Sequence, residues 1–268
     1  MIKIVGTGHI LKRSVRDVER FVKEEKPDII ALELDAKRFE ALEKRGWRLD
    51  FSEEDINFRA LLREMVGGGS LPVLLERFLA LIQRDLGRKF GVHPGSEMVA
   101  AIQSARTSGA RIALIDRDID ITLNHILSVP IKEKIKLFTR SGRDLGLVGN
   151  LLGTNIDGIL REENIEKIMT ELKKSLPALY SALVDERDRY MAYMLLRLQE
   201  KHPREDIMAI VGAGHEKGIK RYLNKTDFAD MKKLTELHPV SKIHLILLLF
   251  TIIFTYILMK LEFIRIRK

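Results

Sequence analysis

Met1-Ile-Lys-Ile-Val-Gly-Thr-Gly-His9 opens the chain, and Ile207-Met-Ala-Ile-Val-Gly-Ala-Gly-His215 repeats its form far downstream. In each, a short apolar run ends in Gly-x-Gly-His. Two further runs of the same kind lie between them, so that Lys3–Thr7, Ile29–Leu34, Arg111–Ile115 and Ile207–Val211 all read as strands. Short runs that are apolar at nearly every position suit strands buried on both faces, as in a parallel sheet covered by helices. Ser14–Glu25 places Val15, Val18 and Val22 at helical spacing, and Pro27-Asp28 closes the turn before the second strand. That is a β-α-β unit. The expected fold class is therefore α/β, with a central, mostly parallel sheet flanked by helices.

Between the strands the chain reads as helical. Residues from Phe39 to Phe90 carry Leu61, Leu62 and Met65 before a Gly67-Gly68-Gly69-Ser70 break, and Leu74, Leu75, Phe78, Leu81 and Ile82 after it. No Gly-Lys-Ser/Thr follows those glycines, so they mark a loop and not a phosphate cradle. Ser96 is placed to cap a helix through Met98, Ile102 and Ala105 to Ser108-Gly109. A helical stretch over Ile119–Leu137, a Gly-rich segment over Ser141–Gly158 and a helix over Ile165–Lys201 interrupted at Pro177 complete the pattern.

A chain of 268 residues with 46% hydrophobic content can bury a substantial core. It has no cysteine, which excludes disulfides, thiolate metal sites and cysteine nucleophiles. The net charge of +8 invites a nucleic-acid reading until it is located. Lys242, Lys260, Arg265, Arg267 and Lys268 against Glu262 place half of it in the tail, and aromatics make up only 6%. Interspersed charge with few stacking rings argues against nucleic acid. The strand at the very start lacks the pattern of a secretory signal, so the first domain is expected to stay in the cytosol. Ile243 to Met259 runs without Asp, Glu, Lys or Arg. At about 1.5 Å per residue it reaches roughly 25 Å, the short end of a membrane span, with Lys242 and Lys260 able to snorkel. A buried core helix or a partner-binding helix is the alternative. The expected organisation is a soluble α/β domain over 1–225, a linker over 226–242, a single-pass anchor over 243–260 and a basic tail over 261–268.

Each strand ends in polar residues. The first leads to Gly8-His9; the second carries Glu33 and leads to Asp35 and Arg38; the third ends in Asp116-Arg117-Asp118; the fourth ends in Gly214-His215. Ligands of open parallel sheets bind outside the carboxyl ends of the strands, so these sets are expected to converge. Imidazole suits metal binding or general-base work, and glycine lets backbone and ligand approach closely; the alternative is that each histidine caps a helix. Glu33, inside an apolar strand, needs a cation or a partner such as Arg38. Glu97 stands in the first turn of a helix, where its charge also serves the dipole. Asp116 and Arg117 suit either chemistry or loop structure. Glu186 and Arg187 fall on the apolar stripe that Leu183, Tyr190, Met194 and Leu198 define, so they are expected to face inward.

Taken in order, Gly-Thr-Gly-His with Ser14, Pro27-Asp28, Glu33-Leu34-Asp35 with Arg38, Pro94-Gly95-Ser96-Glu97-Met98, Asp116-Arg117-Asp118 with Thr122, Glu186-Arg187-Asp188, and Gly212-Ala213-Gly214-His215 with Gly218 resemble the TraB/PrgY/GumN family. The resemblance runs from about Ile4 to Leu223. Relatives include the animal Tiki metalloproteases, bacterial proteins that shut down peptide-pheromone signalling, and an erythromycin-esterase-like fold. It implies a mixed sheet flanked by helices and a cleft built around a divalent metal. His9, Glu33 and His215 would be metal ligands or general bases, with Glu97 and Asp116 as further carboxylates. Arg38, Arg117 and Arg187 would orient these groups or stabilise an oxyanion. Manganese, cobalt and zinc all suit such ligands. The implied substrate is a peptide or another small molecule. A non-catalytic membrane-tethered protein that sequesters a peptide or lipidated signal, and a structural tether acting through the tail, are the competing readings. Either is compatible with a monomer or an oligomer.

Overall fold

The computed structural model describes residues 1–7, 12–48, 95–140, 162–225, 228 and 230–240. His9, Gly8, the Gly67–Ser70 loop, the Gly-rich segment and the apolar run 243–259 lie outside the described residues. Among the described residues no helix is long and apolar enough to cross a membrane.

Four strands, β1 (Ile2–Thr7), β2 (Ile29–Leu32), β3 (Arg111–Leu114) and β4 (Ile207–Gly212), form one sheet in the order β1-β4-β2-β3. Every described pairing is parallel, so the mostly parallel expectation holds and no antiparallel strand is among them. The second strand is two residues shorter than its apolar run. Leu34 N–H turns back onto the Leu32 carbonyl at 2.7 Å, which ends regular pairing.

Alternation along the strands divides the core in two. Ile30, Leu32, Met208, Ile210 and Val5 face α1 (Lys12–Glu25) and α3 (Ser96–Ser108). Ile29, Ala31, Ile207, Ala209 and Val211 face α8 (Glu186–Lys201) and α9 (Ala213–Leu223). This two-sided burial is why the strands are apolar at successive positions. Full burial of one such side chain is worth about 1.5–3 kcal/mol.

The remaining described helices are α2 (Ala36–Lys44), α4 (Ile119–Ser128), α5 (Ile131–Arg140), α6 (Glu162–Ser175), α7 (Pro177–Tyr180) and α10 (Met231–Thr235). Two expectations need correction. Gly95, with φ of 89°, is the N-cap of α3, and Ser96 is the first helical residue. The stretch Ile119–Leu137 is two helices, because Pro130 has no N–H to donate and forces Val129 into extended backbone at ψ of 136°. Pro177 starts α7, and a π-helical turn over Ser181–Asp185 joins α7 to α8. Residues 231–240, within the stretch expected to be linker, pack against α4: Leu234 is buried, and Val240 touches the Leu123 and Leu127 cluster.

The topology marks a place for chemistry. From β1 through β2 to β3 the described α1 and α3 lie on one face. The return to β4 carries α8 to the other face and inserts β4 between β1 and β2. A reversal of this kind opens a crevice at the carboxyl ends of the strands beside it.

Candidate functional site

The strand register delivers the polar groups to that crevice. Thr7 pairs with Gly212, so β1 and β4 end side by side. Glu33 N–H donates to the Ile210 carbonyl at 3.2 Å, and the Glu33 Oε2 accepts from Gly212 N at 2.6 Å. By alternation from Ile29 and Ala31, Glu33 lies on the face that carries α8 and α9. Asp116 N–H donates to the Leu34 carbonyl at 3.3 Å, which brings the end of β3 alongside.

Arg187, in the first turn of α8, joins these ends. Its Nη2 donates to Glu33 Oε1 at 2.5 Å and to Asp116 Oδ2 at 2.6 Å, and its Nε donates to Asp116 Oδ1 at 3.1 Å. Its Nη1 meets His215 Nε2 at 3.0 Å and the Leu183 carbonyl at 3.4 Å. A guanidinium has five N–H groups, and these partners account for all of them. Arg38 approaches Asp116 from the other side and is fixed by Asp35, the N-cap of α2. Burial alone would raise the Asp116 carboxyl; the charges and hydrogen bonds of Arg187, then Arg38, overcome it and hold it below the usual range.

His215 lies in the first turn of α9, its Nδ1 2.6 Å from Asp188 Oδ1 and its Nε2 3.3 Å from Glu33 Oε1. Burial pushes the Asp188 carboxyl up to about 6, against the opposing hydrogen bond and charge of His215. Arg187 Nη1 can only donate, so Nε2 is the acceptor, and Nδ1 carries the hydrogen that Asp188 accepts. Gly218 makes this contact possible, because a Cβ there would overlap the Asp188 carboxylate. Gly214 packs against Met169, whose methyl would stand 3.3 Å from an added Cβ.

Arg117 and Glu186 belong to a second, buried network. Arg117 Nη1 donates to Glu186 Oε2 at 2.8 Å and to the Leu234 carbonyl at 2.9 Å, its Nη2 to the Ala182 carbonyl at 3.2 Å, and its Nε to Thr122 Oγ1 at 3.2 Å. His125 Nδ1 lies 2.6 Å from the same Glu186 oxygen, and its ring stacks on His238 at 4.1 Å. Burial opposes ionisation of Glu186, yet the hydrogen bonds from His125 and Arg117 and the Arg117 charge hold its carboxyl at about 2. With its side chain fully buried, Arg117 fastens the 231–240 segment to the turn that precedes Arg187. Glu97 is buried in the first turn of α3, which packs on the sheet face opposite to α8.

The structure thus brings Glu33, Asp116, Arg38, Arg187 and His215 together, while Arg117 and Glu186, the chain neighbours of Asp116 and Arg187, turn to the second network. Asp188 stood in the Glu186-Arg187-Asp188 motif without a role, and His125 was not singled out in the sequence. Asp188 had a readable signal: it stands three and four residues before Met191 and Ala192, both fully buried.

The model of the TraB/PrgY/gumN family matches residues 2–229. The chain belongs to this family. It is similar to an uncharacterised protein of Methanocaldococcus jannaschii, 38% identical over 246 residues that cover 90% of this chain and 58% of that one. It is also similar to the TraB domain-containing proteins of Bos taurus and Homo sapiens, 26% and 24% identical, covering 66% and 62% of their lengths. The chain therefore spans about three fifths of the length of these relatives.

A divalent metal can be tested against this TraB-family site from its donors. Tetrahedral ligands at roughly 2.0–2.1 Å stand about 3.3 Å apart, and Glu33 Oε1 and His215 Nε2 show that spacing of 3.3 Å. Their lone pairs are engaged elsewhere. Nε2 has a single lone pair, and Arg187 Nη1 meets it; Glu33 Oε1 receives Arg187 Nη2. As arranged, these two residues do not fit a metal. Among the described residues, no group of three or more histidines and carboxylates is placed to hold one.

Proposed function

We propose that this TraB-family chain is a hydrolase acting on a peptide or another small substrate, in which the His215 imidazole moves the proton and Glu33 lies beside the reacting water. One observation carries the reading: His215 is held by a buried carboxylate through Nδ1, so that Nε2 is directed at Glu33 in the crevice beside β4. A base whose tautomer and orientation are set by a buried carboxylate is the arrangement that general-base hydrolysis needs. In the resting site, Arg187 occupies Nε2, and water or substrate must compete with that hydrogen bond. Asp188 stabilises the imidazolium that forms when Nε2 takes a proton. Arg38, partly exposed where Arg117 is not, is the guanidinium placed to meet a substrate carboxylate or a developing oxyanion. The family resemblance supports a peptide as substrate. The length and apolarity of residues 243–259 support attachment of the domain to a membrane.

The test is a screen of the full-length protein against short free peptides and small esters, with products read by mass spectrometry. Wild type should yield product, and His215→Ala and Glu33→Gln should each lose at least about a hundredfold in rate, the scale of general acid–base catalysis, with circular dichroism unchanged. A His215→Ala protein that cleaves at the wild-type rate refutes the assignment. Peptide bound by wild type without any product would favour sequestration.

A further inference from the structure

We propose that Arg187 is the resident cation of this site: its guanidinium, bonded to Glu33, Asp116 and His215, neutralises the buried carboxylates in place of a divalent metal, and the folded site holds no metal there. The inference rests on the placement of the proposed hydrolytic centre and concerns what neutralises it.

Three facts on this chain carry it. First, Glu33 and Asp116 are buried carboxylates, and both accept from Arg187 Nη2, at 2.5 and 2.6 Å. Two buried negative charges this close require a cation between them, and the guanidinium supplies it. Second, the His215 Nε2, whose spacing from Glu33 suits a shared metal, faces Arg187 Nη1 at 3.0 Å. One lone pair cannot accept an N–H and ligate a metal at once. Third, the arginine is itself held. Its Nε and Nη2 grip both oxygens of Asp116, which Arg38 engages from the far side, and Nη1 also reaches the Leu183 carbonyl in the turn before α8. A bidentate guanidinium anchored at five points is a fixed part of the wall, and its planar fork matches carboxylate geometry in a way that a spherical ion does not.

The consequence is that removing Arg187 leaves Glu33 and Asp116 without this cation, and a divalent ion can replace it only once these side chains and His215, which are not placed for a metal as they stand, rearrange around it. Full-length wild type, Arg187→Ala, Glu33→Gln and Arg187→Ala/Glu33→Gln are each incubated with a modest excess of Zn²⁺ or Mn²⁺. Metal per chain is measured by mass spectrometry after desalting, and folding by circular dichroism. Wild type and Glu33→Gln should retain the same low background. Arg187→Ala should retain about one additional equivalent and show a metal-dependent rise in melting temperature, both absent from the double variant. Should the alanine variant not fold, Arg187→Gln serves, since its side chain lacks the charge but still fills space. Near-stoichiometric metal in wild type that is lost in Glu33→Gln overturns the proposal, as does a folded Arg187 variant that gains none. The readout is metal content, so a chain that hydrolyses nothing can still show a resident arginine. Conversely, a hydrolase whose wild type carries metal on Glu33 would refute the inference and leave the proposed activity standing.

Discussion

Gly218→Ala separates two opposed physical effects at one position. Gly218 lies inside α9, where replacing glycine with alanine ordinarily stabilises a helix by about 0.8–1.0 kcal/mol. Here the added Cβ would overlap the Asp188 carboxylate and stand 3.1 Å from Asp188 Cβ, so rotating the short aspartate side chain does not clear it. Either α8 and α9 move apart or Asp188 gives up His215. Breaking a buried charged pair costs about 3–5 kcal/mol, and protonation of Asp188, whose carboxyl already sits at about 6, recovers part of that. Set against the helix gain, the net expectation is a loss of roughly 2 kcal/mol. For a chain of this size that lowers the melting temperature by about 4–8 °C. Urea unfolding and thermal melts of the two purified proteins measure it, and hydrolysis of whatever substrate the wild type cleaves should fall with it. A Gly218→Ala protein as stable as wild type, or more so, would show that Asp188 is not wedged against α9 and that the Asp188–His215 contact does not depend on this glycine.

Gly6→Ala is the matched control. An added Cβ there meets the Glu216 carboxylate, the far end of a flexible side chain 28% exposed, which can swing into water. Its stability should remain within about 1 kcal/mol of wild type in the same unfolding assay, the usual range for a site without a buried partner. Glu186→Gln tests the buried network through pH. The Glu186 carboxyl is held at about 2 against an ordinary 4.5, so its contribution is complete above the unfolded value and is lost as pH falls towards the folded one. The shift is worth at most about 3 kcal/mol, and since the side chain is 19% exposed we expect roughly 2 at neutral pH. Urea midpoints between about pH 7 and pH 3 should fall more steeply in wild type than in Glu186→Gln; parallel curves would refute the assignment.

Much of the fold is written locally. Each strand is apolar on both faces because helices cover both, and that pattern survives in a single sequence. The strand order is not written locally: β4 pairs with β1 and β2, and hydrogen bonding between strands so distant leaves no mark on either. Glu33 was legible for the reason it matters, a charge placed where the alternation of β2 points it under α8. Arg187 is its answer, and neither residue's sequence neighbourhood names the other. Pro130 ended a helix that periodicity alone would have continued, and a glycine with positive φ took the cap expected of Ser96.

The residue that orients the candidate base was obscured by the choice of apolar stripe. Reading α8 backwards from Leu198 through Met194 and Tyr190 to Leu183 assumes a constant 3.6-residue period, which sets Glu186 and Arg187 on the inward stripe and leaves Asp188 among solvated charges. The π-helical turn over Ser181–Asp185 displaces only Leu183 from that period, since Glu186, Arg187 and Asp188 share the regular helix with Tyr190, Met194 and Leu198. After it, the inward face is set by Met191, Ala192 and Leu195, and Asp188 joins that face at helical spacing, 1% exposed beneath His215. Successive residues of a helix diverge by about 100°, so Glu186 turns to Arg117 and His125, Arg187 to Glu33 and Asp116, and Asp188 to His215. Three consecutive charged residues that look like a surface run are thereby distributed over both buried networks. Helix α8 can serve both because its first turn points three neighbouring side chains in three directions.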